Sequence, residues 1–334
     1  MYKTLDDVRD KIQDAYDKGY ARGYLLESEI FEEPFSVVLG TTLYIYGPPG
    51  SGKTQVLFEM LIQLSMKFDW RHAILSPETG DVDDIFIELI QMVAQKDITD
   101  TFGNQMSISD KQSIEAWVKD HFFVIETENQ DGSTLKFREF YRIVDGIQTE
   151  RGIEIHTTSI DPFDEVEVDW TKHARSDMVL RDELIWLRKN AKKTNRYNII
   201  VLHLRDQKKI RRKIKGDDIE YYPSPDPQET MHGQEWYRRG MSMIGVWRPP
   251  SGLKFDHNDF FEDNSTIILF GKQKPKSVKQ QGSSIRRIHW FWDDNRHRYY
   301  YKRYGECIYL QKFNNVSSKE NRQGSPDFNL PEHL

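Results

Sequence analysis

Apolar positions along the chain fall into short dense blocks separated by longer amphipathic stretches. Thr42-Leu-Tyr-Ile-Tyr46 is one such block, bounded by Gly40 and Gly47, and reads as a buried strand. Residues 55–68 are apolar almost all round, as expected of a helix packed under a sheet. The alternation continues, with strands expected at 73–75, 122–125, 153–160 and 198–202 and helices at 82–93, 134–150 and 178–191. Strands alternating with helices imply a parallel sheet covered on both faces.

After residue 205 the pattern changes. Residues 205–235 are polar, start with a basic run and contain Pro223, Pro225 and Pro227. Strand-like runs then follow at 243–247, 266–271, 285–292 and 298–301 with little helix between them. The expected fold is therefore α/β, with a mainly parallel central sheet extended by antiparallel C-terminal strands. An amphipathic helix is expected at 4–20, with Leu5, Val8, Ile12, Ala15 or Tyr16, and Tyr20 at helical spacing. Three parts follow: a packing helix in 1–24, one large domain over 25–312, and a polar, loose tail over 313–334.

Composition narrows the function classes. The 334 residues carry a net charge of −6, so the molecule as a whole is not a generic polyanion binder. The single cysteine, Cys307, supports neither an intrachain disulfide nor a multi-thiolate metal site. No apolar run reaches the length of about 18 residues that spans a bilayer. The charged start MYKTLDDVRDKIQ lacks the apolar core of a signal peptide. These features lead us to expect a soluble, cytoplasmic protein that does not engage membranes.

The chemistry begins directly after the first strand. Gly47, Pro48, Pro49, Gly50, Ser51, Gly52, Lys53 and Thr54 complete the pattern G-x-x-x-x-G-K-[ST] between an expected strand and an expected helix. Glycines let backbone N–H groups curl around phosphate oxygens, and the helix presents its positive end. Lys53 is expected to reach the β- and γ-phosphates of ATP, and Thr54 to ligate Mg²⁺. Asp161 closes the strand at 153–160 and precedes Pro162, the place of a metal-side acid, although Asp-Pro also marks ordinary turns. Glu78, in Ser76-Pro-Glu-Thr-Gly80, follows the neighbouring strand and can face the γ-phosphate or serve as a helix N-terminal acid.

This order of residues resembles the RecA-type ATPase core of ring-shaped replicative helicases, the DnaB, Twinkle and bacteriophage ring-helicase group, over residues 25–305. The resemblance implies that Glu78 is the hydrolytic base. His203, in Val201-Leu-His-Leu-Arg205, becomes the sensor linking γ-phosphate to the DNA loops, and Arg248 lies near the nucleotide edge. Lys272-Gln-Lys274 resembles the Lys-x-Arg pair that reaches into the neighbouring subunit's site. Here Lys274 stands where the arginine is usual, and lysine cannot make the bidentate guanidinium fork. Arg286 or Arg287 is the substitute, or trans-activation is weaker. Met241 stands where the group often has an acid.

The same resemblance implies a homo-oligomer, a hexameric ring around single-stranded DNA, with a primase or loader as further partner. It leaves no segment for the N-terminal helical domain of the bacterial enzymes, so the expectation is a stripped motor. The helix at 4–20 then packs either on an adjacent subunit or on its own domain. Residues 205–215, RDQKKIRRKIK, are basic at seven of eleven positions. In the group this loop faces the central channel, which makes Lys208, Lys209, Arg211, Arg212, Lys213 and Lys215 candidates for gripping phosphates without reading bases. The competing readings are a filament-forming recombination or annealing ATPase and a slow, nucleotide-gated assembly protein.

Overall fold

The structure, a computed structural model, describes all residues except 1, 3, 20, 21, 27, 28, 101, 102, 129, 130, 206, 233, 256–258, 310–312 and 314–334. Tyr20 and, Phe313 apart, the tail expected at 313–334 lie outside the described residues.

The first helix is α1, Arg9–Lys18, preceded by a 3-10 turn at Asp6–Val8 and ended by Gly19 at φ 76°. No residue of α1 is buried, and Leu5, Ile12 and Tyr16 are exposed. Its apolar face therefore does not pack into the core of its own domain. A single turn, α2 (Glu29–Glu32), leads to β1 (Thr42–Tyr46), all five residues of which are buried. The glycine loop follows, then α3 (Lys53–Phe68), β2 (His72–Leu75) and α4 (Val82–Ala94).

Helix α5 (Ile108–His121) was not expected from the pattern: it buries only Ile114, Val118 and His121, a narrow stripe on a polar helix. Ser107 caps it by accepting the Asp110 N–H. Next come β3 (Phe122–Val124), α6 (Phe137–Arg151), β4 (Thr157–Ile160), α7 (Ser176–Thr194) and β5 (Tyr197–Leu202). Two expected boundaries were too early. Residues 134–136 make extended bridges from Thr134 to Glu128 and from Lys136 to Glu167 instead of helix, and β4 begins at Thr157, not 153.

The basic run is not the irregular loop expected. β6 (Ile210–Ile214) and β7 (Asp217–Tyr221) form a separate antiparallel hairpin, turning at Lys215 and Gly216, both at positive φ. The chain ends through α8 (Glu235–Arg239), β8 (Ser242–Trp247), β9 (Ser265–Gln273), β10 (Arg287–Asp293), β11 (Arg298–Arg303) and β12 (Glu306–Tyr309).

One 10-stranded sheet has the order β12-β11-β10-β9-β8-β1-β5-β4-β2-β3. From β8 to β3 all pairings are parallel, and from β8 to β12 all are antiparallel. The expected α/β architecture is present, with one correction. β8 belongs to the parallel part, because it pairs in parallel with β1, and the antiparallel extension starts only at β9.

Successive side chains of β1 point to opposite faces. Leu43 and Ile45 join the core beneath α3 and α4, whereas Tyr44 and Tyr46 join the core under α6 and α7. Covering both faces buries the sheet and leaves its C-terminal edge as the open surface. β1, β2, β4, β5 and β8 all end at that edge. No helix among the described residues is long and apolar enough to cross a membrane.

Candidate nucleotide site

The glycines of the loop are dictated by space and conformation. Gly50 and Gly52 sit at φ 70° and 88°, where side chains are strained. A Cβ on Gly47 would collide with the Val246 carbonyl, and one on Gly52 would lie 2.7 Å from Arg248 Nη2 and 3.0 Å from the Tyr299 hydroxyl. The loop thus lies flat against the end of β8, and its N–H groups are available at the N-terminus of α3.

Lys53 is buried and donates to the Pro48 carbonyl at 3.3 Å. Burial lowers its pKa, while Asp161 and Glu78 oppose that shift. Thr54 Oγ1 donates to Asp161 Oδ2 at 2.7 Å, with Ser76 Oγ at 3.5 Å from the same oxygen. Asp161 is fully buried, and burial pushes its pKa up to about 6 against the pull of Thr54 and Lys53.

Asp161 Oδ1 and Ser51 Oγ are buried and have no hydrogen-bond partner among the described residues. Two unsatisfied oxygens, a lysine and a helix N-terminus fit a phosphate chain with a divalent cation. No cluster of three or more His, Cys, Asp or Glu ligands occurs among the described residues. A threonine and one carboxylate suit Mg²⁺, which keeps water and takes substrate oxygens, better than a metal caged by protein.

Glu78 lies in the 3-10 turn Pro77–Thr79 after β2. Its Oε1 is 3.2 Å from His203 Nε2, which extends from the end of β5. The other ring nitrogen, Nδ1, is 3.4 Å from Asp164 Oδ2. The hydrogen bond with Asp164 raises the His203 pKa; burial opposes this and Glu78 adds to it. Burial works against the Asp164 charge, but bonds from His203 and His232 hold its carboxyl well below the usual carboxylate range. Neither Asp164 nor His232 was singled out in the sequence. Asp164 had a faint signal, as the second acid in Asp161-Pro-Phe-Asp164 at a strand end. His232 had none.

The structure therefore gathers Lys53, Thr54, Asp161, Glu78, His203 and Arg248 at one edge. Lys272 and Lys274 are elsewhere. β9 runs against β8, with Met243 opposite Lys272 and Trp247 opposite Ile267, so both lysines end at the far edge of the sheet from the chain's own glycine loop. Lys272 Nζ donates to the carbonyls of Tyr237 at 2.5 Å and Arg238 at 3.3 Å, at the C-terminal end of α8. Lys274 is exposed, and Arg286 lies beside Gln273 at the same far edge.

Of the basic candidates, Lys208, Lys209, Arg211, Arg212, Lys213 and Lys215 are all exposed. In the hairpin register Arg211 faces Glu220 and Lys213 faces Asp218. Part of the positive charge is thus balanced within the hairpin, which composition of 205–215 alone concealed.

No protein-family model matches the chain. A stretch of 131 residues is 28% identical to the Twinkle homolog protein, chloroplastic/mitochondrial, of Arabidopsis thaliana; it covers 37% of this chain and 18% of that protein. The solved ATPase domain of G40P superposes with a TM-score of 0.63 at 11% identity, over 93% of this chain and 100% of that one. A DnaB-like replicative helicase, solved in a study of its interactions with primase, gives 0.60 at 12% identity, over 90% of this chain and 68% of that one. Sheet topology and these superpositions agree: the chain has a RecA-type fold like that of the solved G40P ATPase domain and the DnaB-like replicative helicase.

Proposed function

We propose that this protein hydrolyses ATP and uses the cycle to move along single-stranded DNA as one subunit of a hexameric ring helicase. The observation that carries this reading is one physical connection. His203, facing Glu78 beside the glycine loop, also accepts the Met231 N–H at 2.9 Å through its carbonyl, and Met231 is on the segment returning from the basic hairpin. A shift of the hairpin is thereby mechanically tied to the phosphate end of the site.

In this reading Lys53 neutralises β- and γ-phosphate oxygens, while Thr54 and Asp161 would hold Mg²⁺. The bound cation would offset charge developing on the transferred phosphoryl group. Glu78 orients the attacking water and accepts its proton, and His203 senses the γ-phosphate. Arg248 flanks the nucleotide from the β8 side. Lys272 and Lys274, at the opposite sheet edge, belong to the next subunit's site, and α1 with its exposed apolar face is the arm that joins neighbours. A primase or loader is a further proposed partner, on the analogy of the DnaB-like helicase above.

ATP turnover with and without single-stranded DNA, followed by strand displacement, tests the proposal. Absent turnover, or turnover indifferent to DNA, overturns it. Lys274 in place of a guanidinium favours a second reading, a filament-forming ATPase. Electron microscopy with an ATP analogue separates closed rings from open filaments.

A further inference from the structure

Asp164 stands on the 3-10 turn Phe163–Glu165, three residues beyond Asp161. It meets two histidines from different segments: His232 Nε2 at 2.9 Å on Oδ1 and His203 Nδ1 at 3.4 Å on Oδ2. Because His203 Nε2 also faces Glu78, four side chains form a ladder in which carboxylates alternate with imidazoles, Glu78–His203–Asp164–His232. The ladder runs from the end of β2, across the end of β5, to the segment beyond the basic hairpin.

Its outer rung is held in place. The His232 ring stacks on Trp170 at 4.7 Å and 20°, with Phe163 edge-on at 6.2 Å. His232 is also at φ 61°, a left-handed conformation that a non-glycine residue keeps only when its surroundings fix it. On the inner side, Leu204 bridges Thr230 and Arg205 donates its N–H to the Glu229 carbonyl at 2.8 Å. The strand leaving His203 and the strand arriving at His232 are therefore bonded to each other at the foot of the hairpin.

Resting on the ATPase reading above, we propose that Asp164 and His232 are positioning residues that couple the basic hairpin to the water-activating carboxylate of Glu78. The protonated His203 ring has one Nε2–H, which can donate to Glu78 or to a phosphate oxygen. While it donates to Glu78, that carboxylate is a weaker base. When it turns to a phosphate, Glu78 is free to accept a proton from water. Asp164 fixes the axis of that turn at Nδ1, and His232 links the axis to the hairpin's return strand. The groups facing His203 are Asp164 and Glu78, which favour its charged form, and Lys53, which opposes it, with Asp161 buried on the neighbouring strand.

The test uses Asp164→Asn and His232→Gln in the full chain, with ATP turnover measured with and without a single-stranded oligonucleotide. Asp164→Asn should lower kcat by about tenfold or more while KM for ATP changes less than about twofold. The decline of turnover at high pH, where His203 loses its proton, should begin at lower pH in this variant. His232→Gln should lose more of the oligonucleotide stimulation than of the turnover without it.

Ring-proton NMR of the histidines gives an arm independent of turnover. His203 should titrate above an ordinary histidine in the wild type and lower in Asp164→Asn, whether or not the protein is a DNA motor. Absent DNA-stimulated turnover with the titration difference intact sinks the helicase reading and the hairpin coupling while leaving Asp164 as the residue positioning His203. An ordinary His203 titration in the wild type overturns the role of Asp164, even should its variant fail to fold. Equal loss of stimulated and unstimulated turnover in His232→Gln overturns the coupling.

Discussion

Arg298 and Glu59 form a bidentate ion pair from which solvent is wholly excluded. Arg298 Nε and Nη2 donate to the two Glu59 oxygens at 2.7 and 2.8 Å, and neither side chain is exposed. Arg298 also donates to the Met92 carbonyl at 3.2 Å, and Gln63 donates to Glu59 at 3.0 Å. The pair fastens β11, in the antiparallel extension, to α3, the helix that carries Lys53 and Thr54. Removing one partner strands a buried charge, so Arg298→Met should cost about 3–5 kcal/mol. The double variant Glu59→Leu/Arg298→Met should recover much of that loss. Urea denaturation of both variants checks this; equal destabilisation would mean that local packing, not charge, sets the cost.

Gly52→Ala addresses the loop itself. The φ of 88° and the contacts with Arg248 and Tyr299 leave no room for a methyl group. The substitution should cost about 1–3 kcal/mol locally and weaken nucleotide binding by tenfold or more. Binding of a fluorescent ATP analogue measures it. Gly50→Ala should be milder: its φ of 70° is strained, but nothing lies within 4 Å of the added carbon.

These two sites also show where legibility in the sequence ends. β1 and α3 were readable because each carries its own apolar pattern, punctuated by Gly40 and Gly47. Asp161 and Glu78 could be named because parallel strands place their C-terminal ends side by side, so a strand-end position is already a spatial statement; His203 was named only through the resemblance to the ring-helicase group. The missed elements lack a pattern of their own. Helix α5 has a narrow apolar stripe, and β12 is a half-exposed edge strand made by pairing with β11. The hairpin alternates charges instead of apolar residues and turns on Lys215-Gly216. Asp164 and His232 are 68 positions apart in the chain, and only the fold brings them together.

His289 makes stability depend on pH. Its buried Nε2 has no partner among the described residues, its ring stacks on Phe291 at 4.2 Å, and Phe255 and Phe261 lie edge-on to it. Burial lowers its pKa from 6.5 to about 4, opposed by Glu262 and assisted by Lys302 and Arg287. Between those values the unfolded chain binds more protons than the folded one. The stability present above pH 6.5 is therefore lost as pH falls toward 4. The fully buried His72, also lowered, acts in the same direction. His289→Phe should raise stability by about 1 kcal/mol near neutrality through removal of an unsatisfied buried nitrogen. The gain should grow at pH 5, and thermal melts across pH 4–8 measure it; a gain that shrinks in acid would contradict the assignment.

Some basic residues of the hairpin region have an acid opposite them and others do not. Arg211 and Lys213 point to the same side as Glu220 and Asp218, and Arg211 Nη2 is 3.7 Å from Asp218 Oδ2. Ile214 and Tyr221, on the other side, are buried and fix the hairpin to the body. Lys208 and Lys209 precede the paired register, and Arg212 lies opposite Ile219. Residues 208–221 hold six basic side chains and three acidic ones, so a positive surplus remains, part of it on Lys208, Lys209 and Arg212. An incoming phosphate gains little at Arg211 or Lys213 unless it displaces their acids. Lys208→Ala/Lys209→Ala/Arg212→Ala should therefore weaken single-stranded DNA binding more than Arg211→Ala/Lys213→Ala. Each lost phosphate contact should reduce the slope of log affinity against log salt by about 0.7. Asp218→Asn/Glu220→Gln should move the other way, tightening binding and steepening the slope. Salt titrations by fluorescence anisotropy distinguish these outcomes, and equal losses in the two alanine sets would show that the strand meets both sets of residues alike.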